Sequence, residues 1–153
     1  MKTYKNFLSL TLSLALIFVT SYLCDALFES GKENVSALYA SGKPLPSPTL
    51  FSIFWCIVYV CMVAQMSVTI ANRCLRRAIK IWVLTLFINA LFTLLYFRFN
   101  LTYLGAPLII LMLALLMLLT SFYVRNTRYL WLYSIPILAL YGYSLFLAIV
   151  TAL

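Results

Sequence analysis

The chain has 153 residues, 65% of them hydrophobic and 9% charged, with a mean hydropathy of +1.06. A water-soluble domain carries roughly a quarter charged residues, so that class is excluded, and a single lipid-embedded domain over residues 1–153 is the natural expectation at this length. The net charge of +8 comes from 11 Lys and Arg against 3 Asp and Glu, with no histidine, which removes His-based metal ligation and a Ser-His-Asp triad; no catalytic or metal-ligating set can be named.

A spanning helix needs about 20 mainly apolar residues, because hydrocarbon offers no partner to an unpaired backbone group. Charged residues therefore mark the ends of the spans. Cutting the chain at them leaves five stretches, at 7–27, 49–72, 81–97, 106–124 and 130–153. The run from Leu108 to Leu119 is apolar without a break, whereas a β-barrel strand alternates apolar and polar residues over about 10 positions. The expected fold is all-α, a bundle of five transmembrane helices, and its first partner is the lipid bilayer.

The first stretch follows Lys2 and Lys5. With Leu8 to Val19 it also fits the front of a signal peptide, but no small-x-small cleavage site follows, and it is read as a span. The polar loop 25–48 comes next and ends in Lys43-Pro44-Leu45-Pro46-Ser47-Pro48. Proline restricts itself and its predecessor, so this run is a stiff approach to the second helix, serving either as a linker or as a lid over the outer mouth of the bundle.

In the second stretch Phe51, Trp55, Tyr59 and Met62 stand at i, i+4, i+8 and i+11, on one helix face. Such a stripe serves packing, a lipid-facing belt or the wall of a site for a flat apolar ligand. Gln65 in this stretch and Asn89 in the third, with Thr85 and Thr93 one turn to either side, are polar at membrane depth. They should face the interior, as glue between helices or as a ligand contact. The fifth stretch holds Pro136 and Gly142, with Tyr141, Tyr143 and Ser144 beside the glycine; the proline should bend the helix, which is a plain kink or the opening of a cavity. Of the four cysteines, Cys56 and Cys61 lie five residues apart on different faces of one helix and Cys24 and Cys74 are expected on opposite sides of the membrane, so they make no disulfide framework and read as small buried hydrophobes.

The charges also orient the chain. With five spans, one side holds Lys2, Lys5, Arg73, Arg76, Arg77, Lys80, Arg125 and Arg128, and the other holds Lys32, Lys43 and Arg98 with all three acids, Asp25, Glu29 and Glu33. Lys and Arg accumulate on the cytoplasmic side, so the N-terminus is expected in the cytoplasm and the C-terminus on the opposite side. The positive excess thus reflects topology. Nucleic acid would need the cations gathered on one polar face with stacking groups, and Arg73 to Lys80 read as a short loop, with attraction to anionic headgroups a modest secondary effect.

In order, these features resemble the translocator protein family, also called tryptophan-rich sensory proteins. Leu38-Tyr39-Ala40 and Lys43-Pro44 are similar to the family's Trp-Tyr-Ala and Lys-Pro approach to helix 2, shorter here by about two residues. Pro46 matches the first proline of its Pro-Pro pair, and Phe51, Trp55 and Tyr59 match its Phe, Trp and Tyr. Asn89-Ala90-Leu91-Phe92-Thr93 with Tyr96-Phe97 resembles its Asn-x-x-Trp-Ser with a trailing Phe-Phe, and Pro136 matches the proline opening its fifth helix. Phe92 replaces a Trp, Ile137 a Tyr, Leu140 a pocket Trp, and Ser144 and Ala148 an Ala and an Asn.

The resemblance implies a homodimer of five-helix subunits that binds porphyrins, haem-like tetrapyrroles or sterols in the outer half of the bundle, under the first loop, with no cofactor required. The ligand-binding set carried over is Pro46, Phe51, Trp55, Tyr59, Asn89, Phe92, Tyr141 and Ser144. A sensor or carrier that makes and breaks no bonds is the leading expectation. The rivals are an accessory subunit of a larger membrane complex, with the aromatic stripe as partner surface, and a tetrapyrrole-degrading enzyme, for which Trp55 is the one redox-capable candidate.

Overall fold

The computed structural model describes residues 2–31, 33, 36, 40 and 47–152. Among them the chain forms five long helices and no strand: α1 (Lys2–Ser30), α2 (Pro48–Ala71), α3 (Arg76–Thr93), α4 (Gly105–Asn126) and α5 (Ser134–Ala152). Each is the body of an apolar stretch long enough to cross a bilayer, so the protein is an integral, multi-pass membrane protein. Half of the stretch 25–48 expected as an outer lid falls outside the described residues, Pro46 included, and its ends are helical rather than loop: 25–30 belong to α1 and Pro48 to α2.

Where the helices begin and end departs from the charge-bounded stretches for one physical reason. Arg76, Arg77 and Lys80 are exposed residues in the first turns of α3, not a loop as expected. A long cationic side chain lays its methylenes along apolar surface and lifts its charge to the interface, so it does not end a helix. At the other face α1 runs past the exposed Asp25 to Ser30. The start of α2 is set locally: Ser47 Oγ accepts the Leu50 N–H at 3.4 Å, and Pro48 occupies the first helical position, where its missing N–H costs nothing.

Pro136, expected to bend the fifth helix, stands near its start. A 3-10 turn over Leu130–Tyr133 precedes α5, which starts at Ser134. Pro136 therefore lies in the first turn of α5, where a missing backbone N–H costs no bond within the α-helix.

The helices close into a ring. α1 packs on α2, α2 on α5, α5 on α4, α4 on α3, and α3 returns to α1, with α2 and α3 also touching. No more than 33% of the most apolar part of any span is buried by the rest of the chain, so most of the helix surface, including Phe18, Val60, Phe87 and Met117, is offered to lipid. Lipid tails are as apolar as leucine, so packing and interhelical hydrogen bonds must hold such a ring together.

One hydrogen-bonded lock ties four helices at the end of the bundle where α3 and α5 begin. Trp82 Nε1 donates to the Tyr123 hydroxyl at 2.7 Å, and Tyr123 and Thr69 share a bond of 2.6 Å. Because the Thr69 hydroxyl gives its only proton to the Gln65 carbonyl at 2.7 Å, Tyr123 is the donor to Thr69. The Gln65 amide then donates to Ser134 Oγ at 2.7 Å and to the Leu130 carbonyl at 3.0 Å. Trp82 and Tyr123 are wholly buried. Every polar atom of this lock has a partner, the condition under which a buried network rigidifies a core.

At the opposite end α3 continues into a π turn over Leu94–Arg98, closed by Phe99 N donating to the Leu94 carbonyl at 3.2 Å. The wider turn brings the Phe97 carbonyl against the end of α1. A Cβ placed on Gly31 would lie 2.3 Å from Phe97 O and 2.6 Å from Phe97 C, both backbone atoms that cannot rotate aside. Gly31→Ala should therefore lower stability in detergent by about 1–3 kcal/mol. Gly142→Ala, with nothing within 4 Å of its Cβ, should leave stability unchanged or raise it by up to about 1 kcal/mol. Equal melting temperatures for the two variants would refute this account of the α1 contact.

Candidate functional site

The expected site residues converge on the half of the bundle away from the Trp82–Tyr123 lock. Asn89 lies on α3, Tyr141 on α5, Trp55 and Tyr59 on α2, and Cys24 on α1. The Tyr141 hydroxyl donates to Asn89 Oδ1 at 3.0 Å, and Asn89 Nδ2 donates to Cys24 Sγ at 3.5 Å. One amide thus joins three helices through both of its ends, in a place where 5% of Asn89 and 2% of Tyr141 remain exposed.

The aromatic faces are laid around this amide. The Trp55 and Tyr141 rings meet edge to face at 5.7 Å and 83°, and Trp55 and Tyr59, one turn apart on α2, sit 5.5 Å apart at 36°. Edge-to-face contacts at this spacing are favourable for ring quadrupoles. Trp55 and Tyr59 are only half-buried.

A second aromatic group begins three residues along α3. Phe92 stacks on Tyr96 at 5.1 Å and 25° and meets Phe97 edge-on at 5.9 Å, while Phe97 also meets Phe28 of α1 at 5.0 Å. Phe92 therefore supports the π turn as well as extending the Asn89 face. Tyr96 in turn is pressed against Gly105, where a Cβ would approach its ring to 2.6 Å.

Ser144 lies one turn along α5 from Tyr141, on the stripe that includes Ile137, Leu140, Tyr141 and Ala148, all buried. Other hydroxyls in the spans return a bond to their own helix, as Ser13 does to Ser9, Thr93 to Asn89 and Thr120 to Leu116. Ser144 does not. Among the described residues its Oγ is the one buried side-chain oxygen or nitrogen with no partner, and a buried orphan of this kind calls for an explanation.

Of the eight residues expected to bind, the structure brings Trp55, Tyr59, Asn89 and Tyr141 into one contiguous group, with Phe92 and Ser144 a turn away. Phe51 is described only by its place in the first turns of α2, and Pro46 lies outside the described residues. The residues that sequence reasoning passed over are Cys24, taken for a bland hydrophobe, and Phe28, four residues further along the same face of α1. Nothing in the chain marked Cys24 as the neighbour of an amide 65 positions away. Among the described residues no cluster of three His, Cys, Asp or Glu exists that could hold a metal ion. The arrangement offers flat faces, an amide already committed to protein partners and one free hydroxyl: means of binding an apolar molecule and orienting it through a single polar group.

A family model described as TspO/MBR family matches residues 9–153, nearly the whole chain. A search of curated proteins returns no significant match.

Proposed function

The chain belongs to the TspO/MBR family of membrane ligand-binding and sensory proteins, and on that premise we propose that it binds a flat hydrophobic molecule, a porphyrin-type tetrapyrrole or a sterol, against the Trp55–Tyr141–Asn89 group. It acts as a sensor or carrier through binding alone, works as a homodimer, and has its N-terminus in the cytoplasm. The observation that carries the reading is the half-buried Trp55 in edge-to-face contact with Tyr141 beside a buried amide. Aromatic anchors in such desolvated places supply a large share of binding energy. The Lys and Arg excess at the end holding Arg76 to Lys80 supports the orientation.

The test is a titration of purified full-length protein with protoporphyrin and, separately, with a sterol, followed by tryptophan quenching. Binding should saturate, and Trp55→Ala, read through absorbance of the ligand, should weaken it by about tenfold or more. Ser144→Ala, which breaks no bond within the protein, should weaken only ligands carrying a polar group near α5. Unsaturable uptake that Trp55→Ala leaves untouched, together with a co-purifying membrane partner, would instead support an accessory-subunit role.

A further inference from the structure

Among the described residues the cations at one end of the bundle have no acid at the same end. Arg76, Arg77 and Lys80 in the first turns of α3, and Arg125 in the last turn of α4, are exposed. They stand at the same end of the bundle, because the Trp82–Tyr123 bond ties the start of α3 to the end of α4. All three acids of the chain, Asp25, Glu29 and Glu33, belong to the opposite end, about 27 Å away along an 18-residue helix such as α3. These four charges are thus left to find anions outside the protein.

Their setting selects the anion. The turn between α2 and α3 spans only Asn72 to Leu75, and the link between α4 and the turn before α5 only Thr127 to Tyr129. The cations are therefore held at headgroup depth. Directly below them on the same face of α3, stepping by i+3 and i+4 from Lys80, Val83, Leu84 and Phe87 are 53%, 46% and 64% exposed, an apolar wall for the first few methylenes of an acyl chain. Arg128 is turned aside, its guanidinium 5.2 Å over the Tyr129 ring. We propose that this face of α3, with Arg125 beside it, is a binding site for an anionic phospholipid: Arg76, Arg77, Lys80 and Arg125 hold the headgroup phosphate, and Val83, Leu84 and Phe87 receive a chain. A free phosphate would use the cations and leave the apolar wall empty, which is why the lipid is the occupant favoured. This is independent of the ligand group around Trp55, at the other end of the bundle.

The experiment equilibrates full-length protein with mixed micelles holding equal amounts of phosphatidylglycerol and phosphatidylcholine, and identifies retained lipid by native mass spectrometry. Each interfacial cation is worth roughly fivefold in affinity, so phosphatidylglycerol should be enriched by about tenfold or more, less so at high salt. R76Q/R77Q/K80Q should abolish the enrichment. The charge-matched K2Q/K5Q/R128Q, which alters the same end of the bundle elsewhere, should keep most of it, as should the charge-preserving R76K/R77K. Melting temperatures in phosphatidylcholine alone establish that each variant is folded; should the triple glutamine variant not fold, the wild type against K2Q/K5Q/R128Q and R76K/R77K still decides. No enrichment in the wild type, or equal loss in the two triple variants, overturns the site. Displacement of the lipid by inorganic phosphate would reassign it to a soluble anion and overturn the proposal as well.

Discussion

Trp82→Ala should lower the stability of the detergent-solubilised protein by about 3–5 kcal/mol, the range for removing a large buried aromatic. Trp82 is wholly buried among helices that lipid does not push together, so the cavity has little means to collapse. The loss has two parts that substitutions can separate. Trp82→Phe keeps most of the volume and takes away the donor to Tyr123, which still gives its own proton to Thr69; about 1–2 kcal/mol is expected. Tyr123→Phe leaves the Trp82 N–H and the Thr69 oxygen facing each other across a missing hydroxyl, an orphaned buried donor worth about 1–3 kcal/mol. Combining the two conservative changes should cost less than their sum, because the second removes a group the first has already stranded. Unfolding in graded denaturing detergent measures all four. A Trp82→Ala variant within about 1 kcal/mol of the wild type would mean that the lock is ornamental.

Asn89→Leu should be the most damaging change for ligand binding. Leucine fills a similar volume, but it strands the Tyr141 hydroxyl, whose acceptor is Asn89 Oδ1, and frees the Cys24 thiol. A hydroxyl without a partner at this depth costs about 1–3 kcal/mol and will turn toward another acceptor. Turning Tyr141 moves the ring that meets Trp55 edge to face, so the affinity for a protoporphyrin or sterol probe should fall by about tenfold or more. Tyr141→Phe, which keeps the ring against Trp55 and deletes only the hydroxyl, should be milder in both stability and affinity. If Tyr141→Phe proves the worse of the two for affinity, the hydroxyl itself contacts ligand and the amide is not what places the ring.

Much of the fold can be read along the chain because the solvent is lipid. A segment of about 20 apolar residues has one stable way to satisfy its backbone there, so hydropathy and charge were enough to find five helices and no strand. Local chemistry was legible as well: Asn89, polar in mid-span, had to face inward. The misreadings were of position. Arg76, Arg77 and Lys80 were taken for a loop because charge was treated as a boundary, whereas their flexible stems let the helix run beneath them. How close Pro136 stands to the start of α5 could not be known without the turn at Leu130–Tyr133.

By itself, then, the sequence determined how many times the chain enters hydrocarbon, which residues are too polar to face it, and the family resemblance carried by Trp55, Tyr59 and Asn89. Only the tertiary structure decided who meets whom: that Tyr141 and Cys24 take the two ends of the Asn89 amide, that Tyr123 completes a bond to Trp82 from 41 residues away, and that Ser144 is left without a partner. Hydropathy is a property of single residues and sums along a segment, while a hydrogen bond between helices depends on the rotation and depth of both, which neighbouring helices set together.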